Sequence, residues 1–222
     1  MNYILTDKEP KLPLKYFEDI SAIPHGSYNE KAISAFIADT AAKLGLYARV
    51  DERNNVVVKK PATPGYEHLP ALLLQAHVDM VNEKNSDSDH DFTKDGLKLI
   101  LEGNILRADG TTLGADDGKG VAYMLALMDS DSDTFPHPPL EFLFTTGEEV
   151  GFWGAMALDC SDITARRMIG LDAGPEGVVA TTSAGAQEVI FSIPTEYEPV
   201  KGDVQQTTHD PAGRSLCHEH HR

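Results

Sequence analysis

The sequence predicts an α/β fold of three layers, with helices on both faces of a mostly parallel central sheet. Three observations predict it. Short apolar runs alternate with helical patterns along the chain, as in strand–helix units. The run 72–80, LLLQAHVDM, is apolar almost throughout before its polar end, the pattern of a strand buried on both faces. Three such runs end in acidic or imidazole side chains: His77 with Asp79, Glu148 with Glu149, and Asp172.

Taken in order, residues 14–23 carry apolar side chains at helical spacing and stop at Pro24. Ser27 and Glu30 form an S-x-x-E capping box before a second helix. In it Ile33, Phe36, Ile37, Ala41 and Leu44 make one apolar stripe, and Gly45 supplies the stop. Residues 46–50 and 56–59 read as strands around the turn-forming Asn54 and Asn55. Residues 60–70, with three prolines, form a loop into the central strand. The polar stretch 82–96 reads as a solvated surface loop, although Asp87, Asp89, His90 and Asp91 invite a metal reading.

Beyond it, 105–107 is a short strand and 121–128 a buried helix. A proline turn at 136–139 precedes the strand 140–146, and 154–158 is a short helix. Residues 168–171 form another strand, and 178–182 and 189–193 two more around Ser183, Ala184 and Gly185. The segment from 205 to the end has no apolar periodicity. Its Cys217, His218, His220 and His221 lack the H-E-x-x-H spacing, so it reads as a disordered or non-native tail over 200–222.

Composition narrows the function classes. The 222 residues suit one domain with at most a small appendage, and 41% hydrophobic residues suffice for a core. A formal charge of −16 argues against nucleic acid and anionic membrane partners. Two cysteines, Cys160 and Cys217, make no disulfide framework and fit a reducing compartment. No segment approaches a membrane span, and the N-terminus has no signal-peptide pattern. The expectation is a cytoplasmic protein.

The strand ends carry the chemistry. His77 and Asp79 sit two apart, so in an extended strand they share a face. A neutral imidazole can give one nitrogen to a metal while a carboxylate holds the other N–H. A lone H-x-D is equally a hydrogen-bonded histidine at a strand end. Asp116 and Asp117 open a helix after a glycine-rich turn, where an N-cap alone would account for them. All four acidic points together are harder to explain singly. Ligands of open α/β sheets bind beyond the carboxyl ends of the strands, so these groups would converge on one crevice. Carboxylates gathered there repel unless a cation neutralises them. Imidazole and carboxylate ligands suit zinc, with cobalt or manganese as substitutes.

QAHVDM (75–80), GTTLGADDGKG (110–120), TTGEEVGFWGA (145–155) and IGLDAG (169–174) resemble the motifs of the co-catalytic zinc peptidases related to carboxypeptidase G, aminoacylase and peptidase T. Within that group the chain is most similar to the bacterial aminoacyl-histidine dipeptidases, also called Xaa-His dipeptidases or carnosinases. AIPHGSYNE (22–30) and HDFTKD (90–95) resemble that subfamily too. The resemblance runs from about Leu12 to about Pro199. It implies that His77 and Asp172 bind a first zinc, that Asp116 bridges to a second, that Glu149 binds the second, that Asp79 orients His77 and that Glu148 is the general base. Two ions roughly 3.5–4 Å apart can share a hydroxide. The implied substrate is a small Xaa-His dipeptide such as carnosine.

One departure stands out. Members of that group close the second site with a histidine much later in the chain and insert a lid near Ala184 and Gly185. The sequence therefore reads as the N-terminal part of such a catalytic domain over 1–199, with the start of the lid region at about 184–199, and with low or no activity expected. Two rival readings are a related amidohydrolase or aminopeptidase of other small substrates, and a non-catalytic metal-binding fragment. An unfinished sheet would also leave an edge through which copies could self-associate.

Overall fold

The computed structural model describes residues 3–131, 133–174, 177–182, 192–194, 206–209 and 215–218. The chain divides into two compact units, Met1–Ala180 and Thr181–Arg222. In the first, helices α1 (Lys11–Ser21) and α2 (Lys31–Lys43) precede strands β1 (Tyr47–Val50), β2 (Val56–Lys60) and β3 (Leu72–His77). A hairpin of β4 (Leu99–Glu102) and β5 (Ile105–Ala108) leads to helix α3 (Ala115–Met128). Strand β6 (Leu140–Thr145), the one-turn helix α4 (Trp153–Met156) and strand β7 (Met168–Gly170) follow.

Five strands form one sheet in the order β1-β2-β6-β3-β7. The pairs β1–β2 and β2–β6 are antiparallel, whereas β6–β3 and β3–β7 are parallel. The sheet is thus mixed, and the parallel part is the part that matters for the site. His77 pairs with Thr145, and Gln75 with Gly170. Three parallel strands in this register bring His77, the turn after Thr145 and the residues after Gly170 to one end of the sheet.

Alternation along the strands divides the core between two faces. Val56 and Val58 join Leu74, Phe142 and Phe144 in packing against Ile20 of α1, Ile33 and Ile37 of α2, and Val121 and Leu125 of α3. Val57, Leu73 and Leu143 point the other way, toward Leu158, Ile163 and Ala165. All three long helices therefore cover one face. The opposite layer is thin, made by α4 and the segment after it. Glu141 holds that segment by accepting the amides of Thr164 and Ala165, each at 3.0 Å from its nearer carboxylate oxygen, and Asp162 pairs with Arg49. Lys60 donates to the carbonyls of Leu127, Met128 and Ser130 at 2.7–3.1 Å and closes the C-terminal end of α3.

Several elements depart from the sequence expectations. Helix α1 starts at Lys11, with Pro13 in its first turn, where a missing N–H breaks no helical bond. Helix α3 begins at Ala115, six residues before its apolar stretch. Strand β4 was not expected, although Gly103 and Asn104 between two apolar runs are a two-residue hairpin signal. The capping box does not form: Glu30 is the N-cap residue of α2 and no side chain caps the helix. Residues 178–182 carry no strand, because no neighbouring strand pairs with them among the described residues. Most of 189–193, and Ala184 with Gly185, lie outside the described residues. In the second unit β8 (Gln206–His209) pairs antiparallel with β9 (Ser215–His218), within the segment that lacks apolar periodicity. Cys217 and His218 fall in β9, and His220 and His221 lie outside the described residues.

Candidate metal centre

His77 is the last residue of β3 and is buried. Its Nε2 lies 3.1 Å from Asp116 Oδ1, 3.8 Å from Asp172 Oδ2 and 3.9 Å from Glu148 Oε2. Three chain segments supply these carboxylates. Asp172 follows β7 by two residues, Glu148 and Glu149 follow β6, and Asp116 enters α3 with non-helical dihedrals (φ −90°, ψ 113°). Ligand atoms of His77, Asp116 and Asp172 all lie within 4.8 Å of one another, as do those of His77, Glu148 and Glu149. These are the groups among the described residues that can hold a metal ion. The Asp87–Asp91 loop joins neither, and there His90 packs edge-on against Phe92 at 4.6 Å.

The second nitrogen of His77 is committed elsewhere. Nδ1 lies 2.9 Å from the Asp79 carbonyl oxygen and 3.6 Å from the Asp79 carboxylate. The carboxylate instead accepts the amides of Glu148 (3.0 Å) and Glu149 (3.3 Å) and the hydroxyl of Ser27 (2.8 Å). Ser27 was legible in the sequence only as half of a capping box. Its actual partner is 52 residues away.

The electrostatics are those of a site built around positive charge. Burial pulls the His77 imidazole down, but the nearby Asp79 carboxylate, the hydrogen bond to Asp116 and the charge of Asp117 outweigh it and hold it at about 9. Burial raises Glu148 and Glu149, with the neighbouring carboxylates adding to the shift and His77 offsetting part of it. Asp172 is raised by burial and then by Asp116. Asp117, wholly buried beside the site, is pushed up to about 6 by burial, and one of its oxygens has no hydrogen-bond partner. Bringing three or four carboxylates to one imidazole is stable when a cation shares them. The donor set fits a divalent metal: one imidazole nitrogen turned to several carboxylate oxygens, with the other nitrogen held by a carbonyl.

A cavity of about 310 Å³ opens against His77, Glu148 and Asp172. Leu143, Leu158 and Met168 add apolar surface to its lining. No helix among the described residues is long and apolar enough to cross a membrane.

Residues 55–176 match peptidase family M28. The chain is 37% identical over 196 residues to the cytosol non-specific dipeptidase of Escherichia coli, covering 88% of this chain and 40% of that protein. Among solved structures, the aminoacylhistidine dipeptidase of Vibrio alginolyticus superposes with a TM-score of 0.74 at 40% identity, over 78% of this chain and 35% of that one. The aminopeptidase PepT of Bacillus cereus superposes with a TM-score of 0.63 at 25% identity, over 74% and 43% respectively. The expected resemblance to bacterial aminoacyl-histidine dipeptidases and peptidase T is borne out. The chain spans about two fifths of the length of these relatives.

Proposed function

Because this chain belongs to peptidase family M28, we propose that its metal centre binds zinc and serves the hydrolysis of small dipeptides, those of the Xaa-His, carnosine-like kind among them. The observation that carries this reading is His77 Nε2 within 3.1–3.9 Å of carboxylates from three separate segments. Imidazole and carboxylate donors suit zinc, and cobalt or manganese can substitute. His77, Asp116 and Asp172 would hold the first ion, and Asp116 and Glu149 would reach a second. When bound, such an ion supplies Lewis acidity toward the scissile carbonyl and toward water.

The chain's own residues supply the rest. Glu148 is the general base: it takes a proton from the attacking water and passes it to the leaving amine as the C–N bond breaks and the new C–O bond forms. Its carboxylate, raised by burial, is suited to hold that proton between the two steps. Asp79 fixes the backbone of Glu148 and Glu149 and, through its carbonyl, the ring of His77. The Xaa-His preference is supported by the likeness to the aminoacylhistidine dipeptidase of Vibrio alginolyticus. The E. coli relative, a non-specific dipeptidase by name, supports a broader range. That protein is also named as cytosolic, which supports a cytoplasmic location here.

The test is turnover of carnosine and a panel of other dipeptides by zinc-loaded protein, with Glu148→Gln as background and the E. coli relative as reference. Hydrolysis of Xaa-His dipeptides above the Glu148→Gln background supports the proposal. Cleavage of other dipeptides alone moves the specificity to the broader class. Tight metal binding with no turnover of any dipeptide, by this chain and by a form extended to the length of its relatives alike, would reject the enzymatic reading.

A further inference from the structure

Among the described residues no strand pairs with the turn between β6 and α4, yet three of its four successive amides donate to side chains and the fourth lies against a carboxylate. Thr146 N–H donates to Asn55 Oδ1 at 3.0 Å. Gly147 N–H faces the Glu30 carboxylate. Glu148 N–H and Glu149 N–H donate to the two oxygens of Asp79. Each acceptor is a side chain, and two of the acceptors are carboxylates, which make the stronger bonds. The turn has little room to adjust, since Gly147 sits at φ +64° and a Cβ there would overlap the Trp153 indole.

Two of the groups that hold this turn come from the segment leading into α2. Ser27 donates its hydroxyl to Asp79 Oδ2 at 2.8 Å, and its amide reaches the Met80 carbonyl at 3.3 Å. Gly26 bridges Met80 alongside. Glu30, buried at the N-terminus of α2, also accepts the Tyr28 amide at 3.0 Å. We propose that Ser27 and Glu30 are positioning residues that lock the Gly147–Glu149 turn so that the Glu148 and Glu149 carboxylates face His77. The S-x-x-E spacing is thus a catalytic-turn clamp in place of a helix cap. This rests on the role given above to Glu148 and Glu149, but the turn can be observed without any turnover.

The experiment measures residue-resolved amide hydrogen exchange of the whole chain in Ser27→Ala, Ser27→Thr and Glu30→Ala, together with the visible spectrum of the cobalt-loaded forms. Ser27→Ala is expected to speed exchange at Glu148 and Glu149 by about tenfold. Ser27→Thr, which keeps the hydroxyl, restores it. Glu30→Ala speeds exchange at Gly147, and strand amides such as Phe142 stay at the parent rate in all three. The cobalt bands shift in Ser27→Ala and return in Ser27→Thr, an effect that general loss of stability would not produce. Unchanged exchange at 147–149, or uniform acceleration through β6, would overturn the proposal. Local loosening seen where no dipeptide is cleaved, even by a form extended to the length of its relatives, would keep the positioning roles and reject the dipeptidase reading.

Discussion

His77 and Asp79 meet through the main chain: Nδ1 of the imidazole is nearer to the Asp79 carbonyl oxygen, at 2.9 Å, than to its carboxylate, at 3.6 Å. The carbonyl therefore sets the ring orientation, and it survives substitution of the side chain. Asp79→Asn is expected to lower zinc affinity by no more than about tenfold, the low end for residues that support a ligand. His77→Ala should lower it by well over a hundredfold, in a competition titration against a chromogenic chelator. Equal losses in the two variants would show that the carboxylate holds the ring.

Glu148 and Glu149 are neighbours with different expected tasks. In a form extended to the length of its relatives, Glu148→Gln should reduce turnover by about 10²–10⁴-fold and leave the metal content of the protein unchanged. Glu149→Gln should lower the metal content as well. Elemental analysis of the two purified variants decides the matter, and equal metal loss would mean that the pair is wrongly assigned.

Both metal-holding groups contain His77, and its Nδ1 is already committed to a carbonyl. One imidazole nitrogen cannot serve two ions, so calorimetric titration of metal-free protein should give one tight zinc. At a free zinc concentration 100 times the dissociation constant, binding should stabilise the fold by about 2.7 kcal/mol, read as a rise in denaturation midpoint that chelator reverses. Two equally tight sites would refute this.

Acid should loosen the thin layer over the second sheet face first. Burial raises the Glu141 carboxyl, but the Ala165 and Thr164 amides, the Thr164 hydroxyl and the charge of Lys59 outweigh it and hold it below its ordinary value. A carboxylate lowered in the folded state contributes stability that is present above its unfolded value, near 4.5, and is lost as pH falls through the folded value. Glu141→Gln should therefore cost about 1–3 kcal/mol at pH 7. The difference from the parent should shrink as pH falls below about 4.5, in urea denaturation followed across pH. A difference that stays constant from pH 7 to pH 3 would contradict it.

The elements themselves were largely legible. The apolar run ending in His77, the fully buried run 140–145 and the stripe on α2 carry periodicities that depend only on neighbouring residues. The site residues were also legible, because polar side chains at the ends of buried strands stand out against the apolar run before them. The missed hairpin strand β4 left its signal in Gly103 and Asn104, between two apolar runs. The mixed character of the sheet left none: β2 reads the same whether its neighbour runs parallel or antiparallel.

The sequence by itself determined the strands that carry the site, about where they end, and which side chains are available there to bind a metal. Only the tertiary structure decided how those ends are held in relation to one another. It put Ser27 on Asp79 across 52 residues of chain, gave the Asp79 carboxylate to the amides of Glu148 and Glu149, and left the His77 ring to a carbonyl. The reason is physical. Periodicity and strand ends are set by local sterics and burial, whereas a hydroxyl or carboxylate takes whichever donor or acceptor the packed sheet brings within about 3 Å, and sequence spacing does not encode that choice.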